Sequence, residues 1–218
     1  MFLDDSRWES YAKNFPRSKR RAKFIAFEGI DGSGKSTIIN KVANELKQSG
    51  YSVLVNQEPG TTPMGNKLRK LLKTDIPRAK RTELFIQEAC RVDIIETRII
   101  PNLYNYDFIL NDRYTDSTIA YQGAGNGNDL GLINELNILA TREIKPDLTF
   151  FIDTDLQLAN KRSKKQGNID EFDRVSNFAK RVYNQYQHLA NSKSIVKIPN
   201  NNSVDYATKL VMSYLQSL

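Results

Sequence analysis

The run FIAFEGIDGSGKSTIINKVANEL, residues 24–46, constrains the chain more than any other feature. Phe24 to Phe27 read as a short buried strand, and Ile38, Val42, Ala43 and Leu46 recur at helical spacing, so the segment between them joins a strand to a helix. GIDGSGKS, Gly29 to Ser36, fits the pattern G-x-x-x-x-G-K-[ST] in full. Its glycines let the main chain curl so that the N–H groups from Gly29, Ile30, Asp31, Gly32, Ser33 and Gly34 through to Thr37 turn inward at phosphate oxygens, backed by the positive end of the helix. Lys35 reaches the outer phosphates, and the Ser36 hydroxyl is placed to ligate magnesium. A bare glycine turn explains the glycines but not the strand and helix on either side.

Elsewhere, apolar runs of strand length alternate with helical patterns. Strands are expected at 24–28, 52–57, 107–112, 148–153 and 194–198, and helices near 37–49, 64–73, 80–104, 129–143, 174–191 and 204–217. This rhythm predicts an α/β fold, a five-stranded parallel sheet with helices on both faces. Ligands of such sheets sit at the carboxyl ends of the strands, so chemistry is expected in the loops after Phe27, Gln57, Asp112 and Asp153.

Composition narrows the classes. A hydrophobic share of 39% with 26% charged residues is that of a soluble globular protein, and 218 residues suffice for one domain. No apolar run approaches the roughly 20 residues of a membrane span. MFLDDSRWES carries acids where a signal peptide is basic, which points to a cytoplasmic protein. Cys90 is the only cysteine and His188 the only histidine, so disulfides, cysteine-built metal sites and histidine catalysis are not expected. The net charge is +7, and residues 1–23 hold seven Lys/Arg against three acids. That balance suits nucleic acid, an acidic surface or small polyphosphates, or simply a solvated arm.

A second informative run is FILNDRYTDSTIAYQGAGNG, residues 108–127. A buried strand ends in Asp112 and Arg113, setting an acid that can hold magnesium beside a guanidinium that can clamp a phosphate, unless the two form only a structural pair. Tyr114, Ser117, Thr118, Tyr121 and Gln122 then offer rings, hydroxyls and an amide suited to a sugar and a base.

FEGIDGSGKST, EPGTTPMGNKLRKLL, CRVDIIE, NDRYTDSTIAYQG and KPDLTFFIDTD occur in the order and spacing of thymidylate kinases, and from about Lys23 onward the chain resembles that family. The resemblance implies a P-loop NTPase fold over 23–218 after a basic extension over 1–22. It also implies transfer of the γ-phosphoryl group of ATP to dTMP with magnesium, for dTTP synthesis, by a homodimer without membrane or nucleic-acid partners. By the same resemblance Asp31 contacts the acceptor 3′-hydroxyl and helps organise the metal, and Glu58 lies near the acceptor phosphate and metal. Arg69 and Arg113 face the acceptor phosphate, Arg91 reads the thymine carbonyl, Tyr121 packs beside the deoxyribose, and Ser117 and Thr118 line the base with Gln122 following.

ANKRSKKQGNIDEFDRV, residues 159–175, reads as a short mobile lid that closes over the donor phosphates and excludes water. In the family the arginine that stabilises transfer follows the P-loop acid or sits in the lid. Here Gly32 follows Asp31, so the chain resembles the lid-arginine, bacterial type, with Arg162 the first choice and Lys164, Lys165 and Arg174 its competitors.

Three departures stand out. Gln87 occupies the position of the phenylalanine that usually stacks on thymine, one turn before Arg91. Gln57 and Thr61 replace an arginine and a second glycine around the E-P-G loop, and the lid spacing does not align cleanly. Gln87 keeps dUMP, dCMP or a modified dUMP open as acceptor. Two further readings are a P-loop protein that binds nucleotide or nucleic acid without catalysis, and a kinase of thymidine itself with Glu58 as base.

Overall fold

The computed structural model describes residues 20–165, 176–192 and 195–218. Within them β1 (Lys23–Glu28), β2 (Val53–Gln57), β3 (Phe108–Asp112), β4 (Leu148–Asp153) and β5 (Ile195–Pro199) form one sheet, ordered β2-β3-β1-β4-β5. Every pair is parallel, and Asp112 stands level with Phe27 on one side and Gln57 on the other. The five expected strands are these five, with no end displaced by more than one residue. Because β1 is central with β3 beside it, the loops leaving both open next to each other at the carboxyl edge.

Successive side chains of a strand point to opposite faces, and the sheet uses both. Ile25 and Phe27 pack with Ile38, Val42 and Leu46 of α1 (Lys35–Gln48) and with Val211 and Leu215 of α8 (Val204–Leu215). Phe24 and Ala26 pack on the other side with Ile94, Ile95, Ile99 and Leu103. Burying each such large side chain contributes about 1.5–3 kcal/mol. A one-residue slip of β1 would exchange the two sets, so its register is strongly specified.

α2 (Pro63–Leu72) begins at Thr62, whose hydroxyl oxygen accepts the Gly65 N–H at 2.8 Å. The helix expected over 80–104 is α-helical only as α3 (Lys80–Ile94), then widens to a π turn (Ile95–Ile99) and tightens to a 3₁₀ turn (Ile100–Asn102). Pro101, which has no N–H to donate, stands where the regular ladder gives out. α4 (Thr115–Thr118), continued by π-helical turns over Ile119–Gly125, was not anticipated from the sequence. α5 (Leu130–Thr141) and α7 (Asn177–Ser192) complete the second face.

The segment read as a lid, residues 159–175, is described only in its first part, which is helical rather than loop. That part is the end of a regular helix, α6 (Leu156–Lys165). The Asp155 carboxylate accepts the N–H groups of Gln157 and Leu158, both at 3.0 Å, and Ala159 is buried against Ile30, Phe151 and Tyr186. A capped start and a buried apolar side outweigh the run of charges on the other. Residues 166–175, Arg174 among them, lie outside the described residues, as do 1–19 of the basic extension. Among the described residues no helix is long and apolar enough to cross a membrane.

Candidate active site

The glycine loop is built to receive an anion. Gly34 sits at the N-cap of α1 with φ 89 and supplies no side-chain cap, and no acid stands in the first turn, so the first N–H groups of the helix face the loop. At Gly32, φ +76, an added Cβ would lie 2.0 Å from the Ala159 carbonyl oxygen. The loop therefore rests on the main chain of α6, and no side chain fits after Asp31. Beneath, the Ser33 carbonyl accepts hydrogen bonds from Asn200 Nδ2 at 2.7 Å and Thr154 Oγ1 at 3.0 Å.

Lys35 is 6% exposed, and its Nζ donates to the carbonyls of Gly29 at 2.9 Å and Ile30 at 3.0 Å. Burial first, and the Arg113 charge second, pull its pKa down to about 8. Ser36 Oγ donates to Asp112 Oδ2 at 2.6 Å. This hydroxyl and carboxylate are hard oxygen donors of the kind magnesium takes, and magnesium needs only one or two protein groups when phosphates supply others. No cluster of three or more His, Cys, Asp or Glu suited to a metal occurs among the described residues.

Arg113 holds the middle of the site. Its φ of 77 is a left-handed conformation that costs a non-glycine residue about 1–3 kcal/mol. Its own N–H donates to Phe27 O at 2.9 Å, Nη1 donates to Gly29 O at 3.0 Å, and Nη2 donates to Asp31 Oδ1 at 2.5 Å and Tyr121 OH at 3.3 Å. The guanidinium also lies over the Tyr121 ring, 4.9 Å from its centroid. Desolvation works against the Asp31 carboxylate, yet Arg113 and then Lys35 hold it below the ordinary aspartate range. Ser117, expected beside the base, turns its hydroxyl inward to Glu28 Oε2 at 2.6 Å and accepts from Arg113 at 3.2 Å.

Arg91 is 3% exposed and held on all sides. Nε donates to Glu58 at 2.9 Å, Nη1 to Glu88 and Thr118 at 2.7 Å and to Asn137 at 2.8 Å, and Nη2 to Tyr114 O at 2.9 Å. Glu58, expected near the acceptor phosphate and metal, lines the cleft and pairs with Arg91. Its Oε2 takes Arg91 and its Oε1 takes Asn111 Nδ2 at 2.7 Å, and its main-chain N–H donates to Asp112 O at 2.9 Å. Burial pushes the Glu58 carboxyl up against the pull of Arg91, so the geometry favours a role in orienting that arginine.

These groups open on one cleft of about 900 Å³. It runs from Asp31, Lys35, Ser36 and Thr37 past Asp112 and Arg113 to Arg69, Gln87, Arg91, Thr118, Tyr121 and Gln122. Gly29, Ile30 and Ser33 stand behind its lining. Arg69 donates to Pro59 O at 2.5 Å, and Gln122 donates to Glu83 at 3.0 Å. Arg162 lines the cleft from α6 and donates to Asn200 O at 3.1 Å; Lys164 and Lys165 close the same helix. Thr61 takes a φ of 70 that favours glycine, and its Oγ1 accepts the Gln57 N–H at 2.7 Å, which offsets part of that strain.

Several supporting residues were not expected. Asn111, Glu88 and Asn137 surround Arg91, Thr154 and Asn200 carry the loop, and Glu28 and Tyr186 stand behind Arg113. Only Glu28 had a local signal, a charge ending the otherwise apolar FIAFE just before the loop. The others come from distant elements.

Residues 27–211 match the family described as thymidylate kinase. The thymidylate kinase of Nostoc punctiforme is 38% identical over 203 residues, covering 89% of this chain and 95% of that protein. That of Thermosipho melanesiensis is 38% identical over 200 residues, covering 89% and 98%. The crystal structure of thymidylate kinase from Ehrlichia chaffeensis superposes with a TM-score of 0.73 at 31% identity, over 89% of this chain and 98% of that one.

Proposed function

The chain belongs to the thymidylate kinase family, and on that premise we propose that its cleft transfers the γ-phosphoryl group of ATP to dTMP, giving ADP and dTDP. One observation carries the reading. A single cleft joins an uncapped, glycine-lined helix start and Lys35 to a second cationic pair, Arg69 and Arg113, with the Tyr121 ring beyond. Such a site has room for a donor triphosphate at one end and an acceptor that already bears a phosphate at the other. A free nucleoside carries no phosphate for the second pair to hold.

Phosphoryl transfer asks for positioning and charge neutralisation rather than a covalent nucleophile. Lys35 and the loop N–H groups hold the donor phosphates, Arg113 and Arg69 hold the acceptor phosphate, and Asp31, steadied by Arg113, meets the sugar. Arg91 and Thr118 face the base, with Gln87 and Gln122 beside them. Arg162 reaches the transferred group from α6. Ser36 and Asp112 would hold magnesium, which would supply charge neutralisation at the donor phosphates.

The proposal includes a homodimer and a cytoplasmic setting. α3 and α5 keep large apolar side chains exposed, Phe85 and Val92 on one and Ile138 and Leu139 on the other. Sedimentation is then expected to give a species of twice 24.9 kDa.

The test is steady-state transfer from ATP to dTMP, dUMP, dCMP and UMP with and without magnesium. The largest kcat/KM is expected for dTMP, with activity dependent on the metal. A larger value for another pyrimidine nucleotide would make Gln87 the specificity residue and overturn the dTMP assignment.

A further inference from the structure

Glu28 closes β1 directly before the phosphate loop, and at 1% exposure its carboxyl does not line the cleft. The transfer step set out above makes no use of it. A buried carboxylate is costly unless hydrogen-bonded, and here all the compensation comes from one neighbourhood. Oε1 accepts the N–H groups of Tyr114 at 2.8 Å and Ser117 at 3.2 Å. Oε2 accepts the hydroxyls of Ser117 at 2.6 Å and Tyr186 at 3.0 Å.

The same two hydroxyls accept from Arg113 Nη1, Ser117 at 3.2 Å and Tyr186 at 3.4 Å. The two hydroxyl oxygens also lie 2.8 Å from each other, so with Arg113 donating and an ionised Glu28 only accepting, their two protons serve three contacts and at least one of them points to Glu28. The acid is the end of a short relay that begins at the arginine. Burial and then Asp116 push the Glu28 carboxyl up to about 7, opposed by Ser117, Arg113 and Tyr114. The carboxyl is therefore ionised, and the relay complete, only as the pH rises past about 7.

We propose that Glu28 is a positioning residue for phosphoryl transfer: through Ser117 and Tyr186 it aims the Arg113 guanidinium, and through two main-chain N–H groups it fixes the turn that carries it. The inference rests on Arg113 as the clamp of the acceptor phosphate. The φ of 77 at Arg113 gives the tether a task, since an untied turn would relax toward an ordinary conformation. Glu28 touches no substrate and makes no hydrogen bond to Lys35 or to the loop N–H groups, so its loss is felt chiefly on the acceptor side through Arg113.

The experiment is a double-mutant cycle. Glu28→Gln keeps the shape but sets an amide donor against hydroxyl donors, and is expected to lower kcat/KM for dTMP about 10- to 100-fold, the scale of lost hydrogen bonds to a charged group. The KM for ATP should stay within about 2-fold of wild type, since Lys35 and its loop carbonyl partners make no hydrogen bond to Glu28. On an Arg113→Ala background the same change should cost less than about 3-fold, because the two act as one unit. Tyr186→Phe, which removes a single donor, should lose about 3- to 10-fold and lose nothing further once Arg113 is gone. It decides the matter by the same criterion if Glu28→Gln does not fold. Full additivity with Arg113→Ala, or wild-type kinetics in these variants beside an impaired Arg113→Ala, would overturn the inference and leave the clamp intact. Wild-type turnover in Arg113→Ala itself would overturn both.

Discussion

Asp31 and Arg113 meet at 2.5 Å across the carboxyl edge of the sheet, an acid from the glycine loop and a guanidinium from the turn after β3. The pair joins the donor half of the cleft to the acceptor half. Removing the guanidinium frees Asp31, empties the acceptor clamp and unties the turn at once. Arg113→Ala is expected to lower kcat by about 100-fold or more, the scale of lost transition-state charge stabilisation. Lys35→Ala should fall as far, and near wild-type turnover in either would contradict the assignment.

Lys35 carries a pH signature. Its pKa of about 8 lies below the ordinary lysine value of 10.5 because the charged form is buried, and beside Arg113. As a base it is charged below that pH and neutral above it. Donor phosphates favour the charged form, so ATP binding should take up protons near pH 8, and the Kd for ATP should rise about tenfold per unit above it. Calorimetry in buffers of different ionisation enthalpy reads the proton uptake directly. A Kd flat from pH 7 to 9.5 would show that Lys35 stays charged without ligand.

The Arg91 network changes what a base-site mutation does. Arg91→Ala leaves Glu58, 4% exposed, and Glu88, 5% exposed, without their guanidinium. Breaking a buried pair from one side costs about 3–5 kcal/mol. A large fall in the denaturation midpoint is therefore expected alongside any loss of acceptor discrimination. A variant of unchanged stability with altered acceptor preference would return Arg91 to a pure recognition role.

Charge around the cleft is uneven. Residues 67–81 hold seven Lys/Arg against the single Asp75, and Arg69 and Lys73 of this stretch line the cleft. A dianionic acceptor is attracted to such a mouth, and salt screens the attraction. The KM for dTMP is expected to rise with ionic strength, and Lys67→Gln with Lys70→Gln and Lys73→Gln should flatten that slope while leaving kcat near wild type. An unchanged slope would show that the field plays no part in capture.

Most of the sheet was legible because parallel strands are buried on both faces and write continuous apolar runs, as KFIAFE and LTFFID do. The loop was legible because its motif is local. α6 was obscured by KRSKK, whose charges hide the Asp155 cap and the inward-facing Ala159. The turns after Thr118 were hidden by their glycines and by π geometry that no simple period marks. At the site, the residues reaching for phosphate stood out, whereas Asn111, Asn137 and Tyr186 did not. Their roles exist only once strands and helices far apart in sequence come together, and the same is true of the pairing of Glu58 with Arg91.

The central claim is that the second cationic pair waits for a phosphate already on the acceptor. The most direct measurement offers dTMP and thymidine separately, with ATP and magnesium, and identifies the products by chromatography. The account predicts rapid conversion of dTMP to dTDP and no dTMP formed from thymidine. Phosphorylation of thymidine at a comparable rate would contradict it.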